Sequence, residues 1–175
     1  MRLWGTYYGA IGTELISSIS VDSDGNIYMA GSTGATSNIA TVGSHQHVYG
    51  GDIYDAFLVK MDSLGNSLWC TYYGGSSRDM GLCCKTDNFN NIFLVGHTKS
   101  ANNIATANTH QSSPSGYYDA FIAKFAADGI RLWGTYYGGA KDDDARGCCL
   151  DNNGNIFITG TTESTDLISD TGAHQ

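Results

Sequence analysis

A histidine, a glutamine and a tyrosine recur together in this sequence, and they are the residues best suited to recognise a ligand. The two full copies are His45, Gln46 and Tyr54, and His110, Gln111 and Tyr118. A further histidine and glutamine stand at His174-Gln175. Imidazole, amide and phenol groups hydrogen-bond to and stack on sugars and peptides, so they predict one shallow site per repeat. The alternative, which we favour, is a repeated structural hydrogen bond that ties a loop to its strands.

Carboxylates also recur, at Glu14, Asp79 and Asp143, each just before a segment that predicts a strand. If those strands surround an axis, the three carboxylates form part of a ring at one mouth of a channel, where they would bind a hard cation such as calcium. The sequence predicts no cofactor, and calcium is the one candidate it leaves open. The alternative is that each carboxylate accepts backbone N–H bonds in a turn, and we expect this structural role.

The cysteines do not form a recognisable site. The five are Cys70, the adjacent pair Cys83-Cys84 and the adjacent pair Cys148-Cys149. This spacing is neither that of a zinc site nor that of an ordinary disulfide framework. If strands 67–75 and 80–87 pair as a hairpin, Cys70 lies across from one of the first pair. We favour the other interpretation, in which the thiols are buried and act as small apolar side chains.

All these residues belong to a sequence that repeats every 64 or 65 residues. Leu-Trp-Gly-Thr-Tyr-Tyr-Gly at 3–9 returns with one substitution at 68–74 and unchanged at 132–138. Asp22, Asp87 and Asp151 follow the same offsets. A period of this length, with short aromatic runs separated by glycines, is typical of propellers and arrays rather than of an enzyme with one unique site.

Each repeat predicts four short strands. Residues 16–22 alternate apolar and small polar side chains, Ser23-Asp24-Gly25 turns the chain, and 26–31 returns as the second strand of a hairpin. The third and fourth strands are expected at 55–61 and 68–73, and four antiparallel strands make one propeller blade. Ordered loops at 34–54 and 99–118 separate the second and third strands. The predicted units are an outer strand 2–9, blade 1 at about 13–75, blade 2 at about 79–139 and a partial blade 3 at about 143–175.

The combined pattern resembles a known repeat. The string at 22–33, the Gly-x-x-Gln segment 43–46, the strand 55–60 and the Thr-Tyr-Tyr-Gly-Gly end at 71–75 are similar to the SBBP family, the seven-bladed β-propeller repeat of bacteria and archaea, and more distantly to NHL-type repeats. The resemblance implies an all-β propeller with the tryptophan-bearing strand outermost. It also implies that the strands beside the central axis are 15–21, 80–87 and 145–151.

About two and a half blades do not close a ring, because natural propellers contain about four to eight, so either the sequence is a piece of a longer chain or several copies associate. Unpaired strand edges at both ends would recruit protein partners or other copies of the chain, giving a ring, a filament or aggregation. We therefore expect exposed edges to be the main interaction surfaces.

The composition of the chain limits the classes of partner that it can bind. The net charge of −8 disfavours nucleic acid and anionic membrane surfaces, whereas glycans and cations remain compatible. No apolar run is long enough to insert into a membrane, and we expect an extracellular or cell-surface location with any export signal outside this chain.

No serine-histidine-aspartate order, phosphate-binding glycine loop or zinc-protease motif occurs, so the sequence predicts no catalytic site. Our first hypothesis is a non-enzymatic extracellular scaffold or interaction module, able to self-assemble into a ring or fibre. The second is a carbohydrate-binding, lectin-like propeller with one site per blade. The third is a propeller hydrolase or lyase that uses the acids at the channel mouth. Because propellers host many functions, the resemblance does not choose among them.

Overall fold

The computed structural model describes residues 4–173, and within that range the chain forms ten strands and no helix. In chain order the strands are β1 (Glu14–Val21), β2 (Ile27–Thr33), β3 (Asp55–Met61), β4 (Ser67–Tyr73), β5 (Asp79–Thr86), β6 (Ile92–Thr98), β7 (Asp119–Phe125), β8 (Arg131–Tyr137), β9 (Asp143–Leu150) and β10 (Ile156–Thr162). A search of the described residues for a helix able to span a membrane finds none. The pair His174-Gln175 lies outside the described residues.

The strands form three antiparallel sheets that confirm the predicted blades. The first sheet has the order β1-β2-β3-β4 and the second the order β5-β6-β7-β8, while β9 and β10 form a two-stranded third sheet. The sheets are not closed into a ring. The described residues therefore form two full propeller blades and the first hairpin of a third.

Aspartates fix the turns that create these hairpins. In the first turn, Oδ1 of Asp22 accepts N–H bonds from Asp24 (3.0 Å) and Asn26 (2.8 Å), and Gly25 has a φ of 80°, which a glycine adopts without steric cost. Asp87 and Asp151 hold equivalent turns with the same bonds. The hairpins predicted from the sequence are confirmed, and their aspartate oxygens are occupied by turn N–H groups.

The hydrophobic core lies between the blades. The fully buried Tyr28, Leu58, Leu94 and Phe125 belong to one cluster that joins blades 1 and 2, and a smaller cluster around Val95 joins blades 2 and 3. The first strands of successive blades contact each other, β1 with β5 and β5 with β9. Their proximity agrees with an innermost position, and β4 and β8 are edge strands at the opposite side of their sheets.

The sequence predicts an outer strand at 2–9, but the described part of this segment, residues 4–9, forms no strand. The Trp4 indole nevertheless donates to the carbonyl of Ser63 (3.0 Å), just as the Trp69 indole donates to the carbonyl of Ala127 (3.1 Å) in the next blade. The segment thus keeps the side-chain contact of an outer strand. It lacks the strand pairing because no described third strand lies beside it.

The less favoured alternative, in which Cys70 lies across a hairpin from the Cys83-Cys84 pair, is wrong. Cys70 lies in β4, which belongs to the first sheet, whereas both other cysteines lie in β5 of the second sheet. The chain turns between these strands into a new blade instead of a hairpin. All five cysteines are free thiols, and Cys70 and Cys84 are buried.

Candidate functional site

The first predicted ligand residue, Gln46, is occupied by structural hydrogen bonds. Its side-chain amide donates to the carbonyl of Val48 (3.1 Å) and to Oδ2 of Asp55 (3.2 Å), and its Oε1 accepts the N–H of Gly74 (3.0 Å). Its backbone N–H donates to the Thr71 hydroxyl (2.8 Å). The glutamine therefore ties the 34–54 loop to β3, to β4 and to the Gly-Gly connection after β4.

Gln111 forms the equivalent hydrogen bonds in the second blade. Its amide donates to the carbonyl of Ser113 (3.0 Å) and to Oδ2 of Asp119 (3.2 Å), and its Oε1 accepts the N–H of Gly138 (3.0 Å). The Thr135 hydroxyl accepts its backbone N–H (2.9 Å). Both glutamines thus have the loop-tying role that the sequence favours.

The two histidines differ in exposure. The His45 ring packs between Tyr73 (6.1 Å between centroids) and Phe125 (5.7 Å) at the boundary of blades 1 and 2. Burial, together with the charge of Arg131, lowers the pKa of His45 to about 4. His110 stacks on Tyr137 (5.5 Å) but is exposed, because the described third sheet has no strand equivalent to β7 to cover it.

The acids Glu14, Asp79 and Asp143 hold strand ends together. Glu14 accepts the Thr33 hydroxyl (3.0 Å), and Asp79 accepts the N–H of Gly75 (2.8 Å) as well as the hydroxyls of Thr98 and Ser100. Asp143 accepts the N–H of Gly139 (2.7 Å) and the Ser164 hydroxyl (2.8 Å).

These bonds give each acid a partner in its own blade. Among residues 4–173 no group of three or more histidine, cysteine, aspartate or glutamate side chains is placed to hold a metal ion. Calcium binding by Glu14, Asp79 and Asp143 stays a prediction that rests on their place in the repeat.

A pocket between blades 2 and 3 brings together two of the predicted residues, Tyr118 and Asp143. Its volume is about 360 Å³. The remaining lining residues are mostly charged, and they are Arg78, His97, Asp142, Asp144, Arg146, Thr161 and Glu163. The pocket lies where β9 begins and where β6 and β10 end. Tyr54 occupies the position of Tyr118 one blade earlier and receives the Arg78 guanidinium against its ring (5.5 Å).

The charges inside this pocket are partly neutralised. Burial disfavours the charged form of Asp144, but hydrogen bonds from Arg146 (Nη2 to Oδ2, 2.9 Å) and from Thr161 outweigh it and lower the pKa of this carboxyl. The His97 ring meets the ring of Tyr118 at 5.1 Å, and burial lowers its pKa, so the imidazole is neutral at pH 7. Polar groups of both signs beside an aromatic ring suit a neutral, hydroxyl-rich or peptide-like ligand.

The pocket is not repeated at the other blade boundary. One repeat earlier, the positions of Asp142 and Glu163 are held by Arg78 and Lys99, which reverses both charges. Asp144 and Arg146 are likewise replaced, by Met80 and Leu82. The sequence interpretation looked for residues that recur and so missed this site. The useful signal was the opposite one, a cluster of departures from the repeat.

The architecture agrees with a comparison to protein-family models. The SBBP family model, described as a beta-propeller repeat, matches residues 3–39 and 132–168. Two segments of the chain thus match the SBBP repeat. The first matched segment covers the first hairpin of blade 1, and the second covers β8 and the hairpin of β9 and β10.

Among curated proteins, this chain is similar to the regulatory protein FlaEY of Caulobacter vibrioides. The two are 26% identical over 151 residues, which is 84% of this chain and 15% of the relative. The chain thus spans about 15% of the length of the relative that it matches.

Proposed function

We propose that this chain is a non-catalytic β-propeller scaffold that binds a second copy of itself, head to tail, through its two open blade faces. The observation that carries the proposal is that blades pack on one another twice, while in the described structure the front of blade 1 and the back of the third sheet stay uncovered. The SBBP repeats, and similarity to a protein described as regulatory, support a role without catalysis.

The first open face belongs to blade 1. Ile16, Ile19 and Val21 of β1 are 48%, 58% and 57% exposed. The position of Ile19 is held one repeat later by Cys84, which is 0% exposed because blade 1 covers it. Three neighbouring apolar side chains of an inner strand therefore lie where a preceding blade would pack.

The second open face belongs to the third sheet. Phe157 of β10 is 56% exposed, whereas its counterparts Tyr28 and Phe93 are 0% and 1% exposed. The edge of β10 is also unpaired in the described structure, whereas β2 and β6 each pair on both sides. An exposed aromatic residue beside a free strand edge is a surface on which another blade can pack.

The two faces are complementary because one is the front and the other the back of the same repeated unit. Joining them reproduces the existing packing of blade on blade, and such a head-to-tail contact gives a ring or an open filament. An extracellular or cell-surface location remains a further part of this proposal.

The test uses one charged substitution on each face. Ile19→Lys should block the front and Phe157→Lys the back, so each variant alone should be monomeric by light scattering over a concentration series in which the unsubstituted chain associates. Mixed in equal amounts, the variants should form a 1:1 dimer and stop, because one intact front meets one intact back. Val42→Lys, in an exposed loop (90%), is the control and should associate normally.

Two results would overturn the proposal. One is a monomeric unsubstituted chain at all concentrations. The other is a mixture of the two variants that stays monomeric although both fold, as judged by circular dichroism.

The pocket between blades 2 and 3 favours a second candidate, the binding of a neutral glycan or peptide. It is specific to one blade boundary and places Tyr118 beside groups of both charges. Tyr118→Ala and Glu163→Ala should abolish binding on a glycan array or a peptide array, whereas Tyr54→Ala at the other boundary should not. Binding that survives the first two substitutions would exclude this site. A hydrolase or lyase gains no support from the geometry, since both oxygens of Asp79 and Oδ2 of Asp143 accept structural bonds.

A further inference from the structure

We propose that Cys83 and Cys148 form a redox-active dithiol, which low-molecular-weight disulfides such as oxidised glutathione convert into a disulfide between blades 2 and 3. The two Sγ atoms lie 3.5 Å apart. Cys83 belongs to β5 and Cys148 to β9, the inner strands of adjacent blades, and both side chains are half-buried. Small oxidants can therefore reach a pair of thiols that folding has already brought together.

A stagger between the inner strands explains why these two cysteines meet. Each residue of an inner strand has a counterpart in the next repeat. It contacts the residue that follows this counterpart in the inner strand of the next blade. The Ser18 hydroxyl accepts the N–H of Cys84 (3.1 Å), although the repeat aligns Ser18 with Cys83. The hydroxyls of Ser20 and Thr86 meet with the same stagger (3.1 Å).

Cys148 follows the counterpart of Cys83 in the next repeat by one residue. The stagger therefore brings these two cysteines into contact. A disulfide has an S–S distance of about 2.0 Å, so the sulfurs must approach by roughly 1.5 Å. Rotation of the two cysteine side chains about their Cα–Cβ bonds is the movement that would close this gap.

The surroundings favour Cys83 as the attacking thiolate. The hydrogen bond from Cys148 is the main cause, outweighing burial, that lowers the pKa of Cys83 to about 5, and the charge of Lys85 acts in the same direction. Burial instead raises the pKa of Cys70 and of Cys84 to about 12, which keeps them as unreactive thiols.

The chemistry is a thiol–disulfide exchange in two steps. The Cys83 thiolate attacks one sulfur of oxidised glutathione, forms a mixed disulfide and releases one glutathione thiolate. That thiolate takes the proton of Cys148, whose sulfur then attacks Sγ of Cys83 and releases the second glutathione thiolate. One protein dithiol is oxidised, and one glutathione disulfide is reduced to two thiols.

The product would fasten the third sheet to blade 2. That sheet has only β9 and β10 in the described range, so it depends on the contact with blade 2 for its packing. A covalent link between the two inner strands restrains the unfolded chain and holds the open end of the propeller in place.

The experiment incubates the full chain with defined ratios of reduced and oxidised glutathione. Thiols are then blocked, and the protein is digested and mapped by mass spectrometry. We expect a mass lower by two hydrogens, a linked peptide pair that contains Cys83 and Cys148, and a melting temperature higher by about 5–10 °C that returns to its starting value on reduction. Cys83→Ser and Cys148→Ser should each lose the link and the shift.

Cys149→Ser is the matched control, since it removes an exposed neighbouring thiol and should keep both effects. Circular dichroism of each variant in the reduced state separates loss of the link from loss of folding, and Cys148→Ala replaces Cys148→Ser if the latter unfolds. Free thiols at Cys83 and Cys148 at every glutathione ratio would overturn the proposal, as would a link that uses Cys84 or Cys149 instead.

Discussion

Asp55 and Asp79 share one buried space beside Gly74, where a β-carbon on the glycine would lie 3.1 Å from Oδ1 of Asp55 and 2.5 Å from Oδ2 of Asp79. Both aspartates are 0% exposed. Burial is the main cause that raises the pKa of Asp55 to about 7 and that of Asp79 to about 6, and the charge of Asp79 raises the pKa of Asp55 further. The first blade boundary therefore contains two carboxyl groups that bind protons more tightly when the protein is folded.

This pair predicts that the free energy of unfolding falls as the pH rises. In the unfolded chain both carboxyls lose their protons near pH 4, whereas in the folded protein they do so near pH 6 and 7. The folded state binds more protons between these limits, so its extra stability is fully present below about pH 4 and is lost as the pH passes through 7. Urea unfolding at a series of pH values measures the slope.

Asp55→Asn should flatten that slope, because it removes the group with the higher pKa. Asp170→Asn, an exposed substitution that removes the same formal charge, is the control and should leave the slope in place. Equal slopes in Asp55→Asn and in the unsubstituted protein would show that Asp55 does not titrate in this range.

Gly74 itself should not tolerate a side chain. Gly74→Ala places a methyl group against Asp55 and Asp79, and we expect a loss of about 1–3 kcal/mol in the free energy of unfolding. Gly147→Ala is a milder comparison, since its methyl group would meet only Cγ2 of Thr159, at 3.0 Å. Chemical denaturation of the two variants compares them, and equal losses would contradict the explanation.

The blades could be predicted from the repeated sequence, whereas the contacts between blades could not. The turn Ser23-Asp24-Gly25 predicted the first hairpin because the bonds that hold such a turn are local. The contact of Cys83 with Cys148 depends on the stagger of neighbouring inner strands, which no spacing within one repeat encodes. The pocket beside Tyr118 was missed because its charged residues break the repeat.

The turn aspartates should contribute differently to stability, depending on which blade they belong to. Asp87 accepts two turn N–H bonds and pairs with Lys124 at 3.1 Å, and it is buried. Asp151 makes the same turn bonds, but the lysine comes from a third strand that the described third sheet does not have.

Asp87→Ala should therefore reduce the free energy of unfolding by about 3 kcal/mol, because it removes the turn bonds and also leaves the half-buried Lys124 without its carboxylate. Asp151→Ala should cost about 1 kcal/mol, as expected for the loss of exposed turn bonds alone. Thermal and urea unfolding measure both. A loss in Asp151→Ala as large as that in Asp87→Ala would assign the whole effect to the turn and none to the ion pair.

His45 and His110 provide a last comparison between a closed and an open blade boundary. His45 lies between Tyr73 and Phe125, and burial holds its imidazole neutral with a pKa of about 4. A group whose pKa is lower in the folded state stabilises the protein fully above pH 6.5 and loses this contribution as the pH falls from 6.5 to 4. The free energy of unfolding changes with pH in the opposite direction for Asp55 and Asp79. The titration of His45 therefore has to be followed on its own ring signals.

Nuclear magnetic resonance should show that the His45 ring signals stay constant from pH 8 to about pH 5 and shift only near pH 4. His45→Ala should cost about 2–3 kcal/mol in the free energy of unfolding, because it empties a space lined by aromatic rings. His110→Ala should cost less than about 1 kcal/mol, because that side chain is exposed. A His45 signal that titrates near pH 6.5 would show that this ring is solvated, and that the first blade boundary is open in solution.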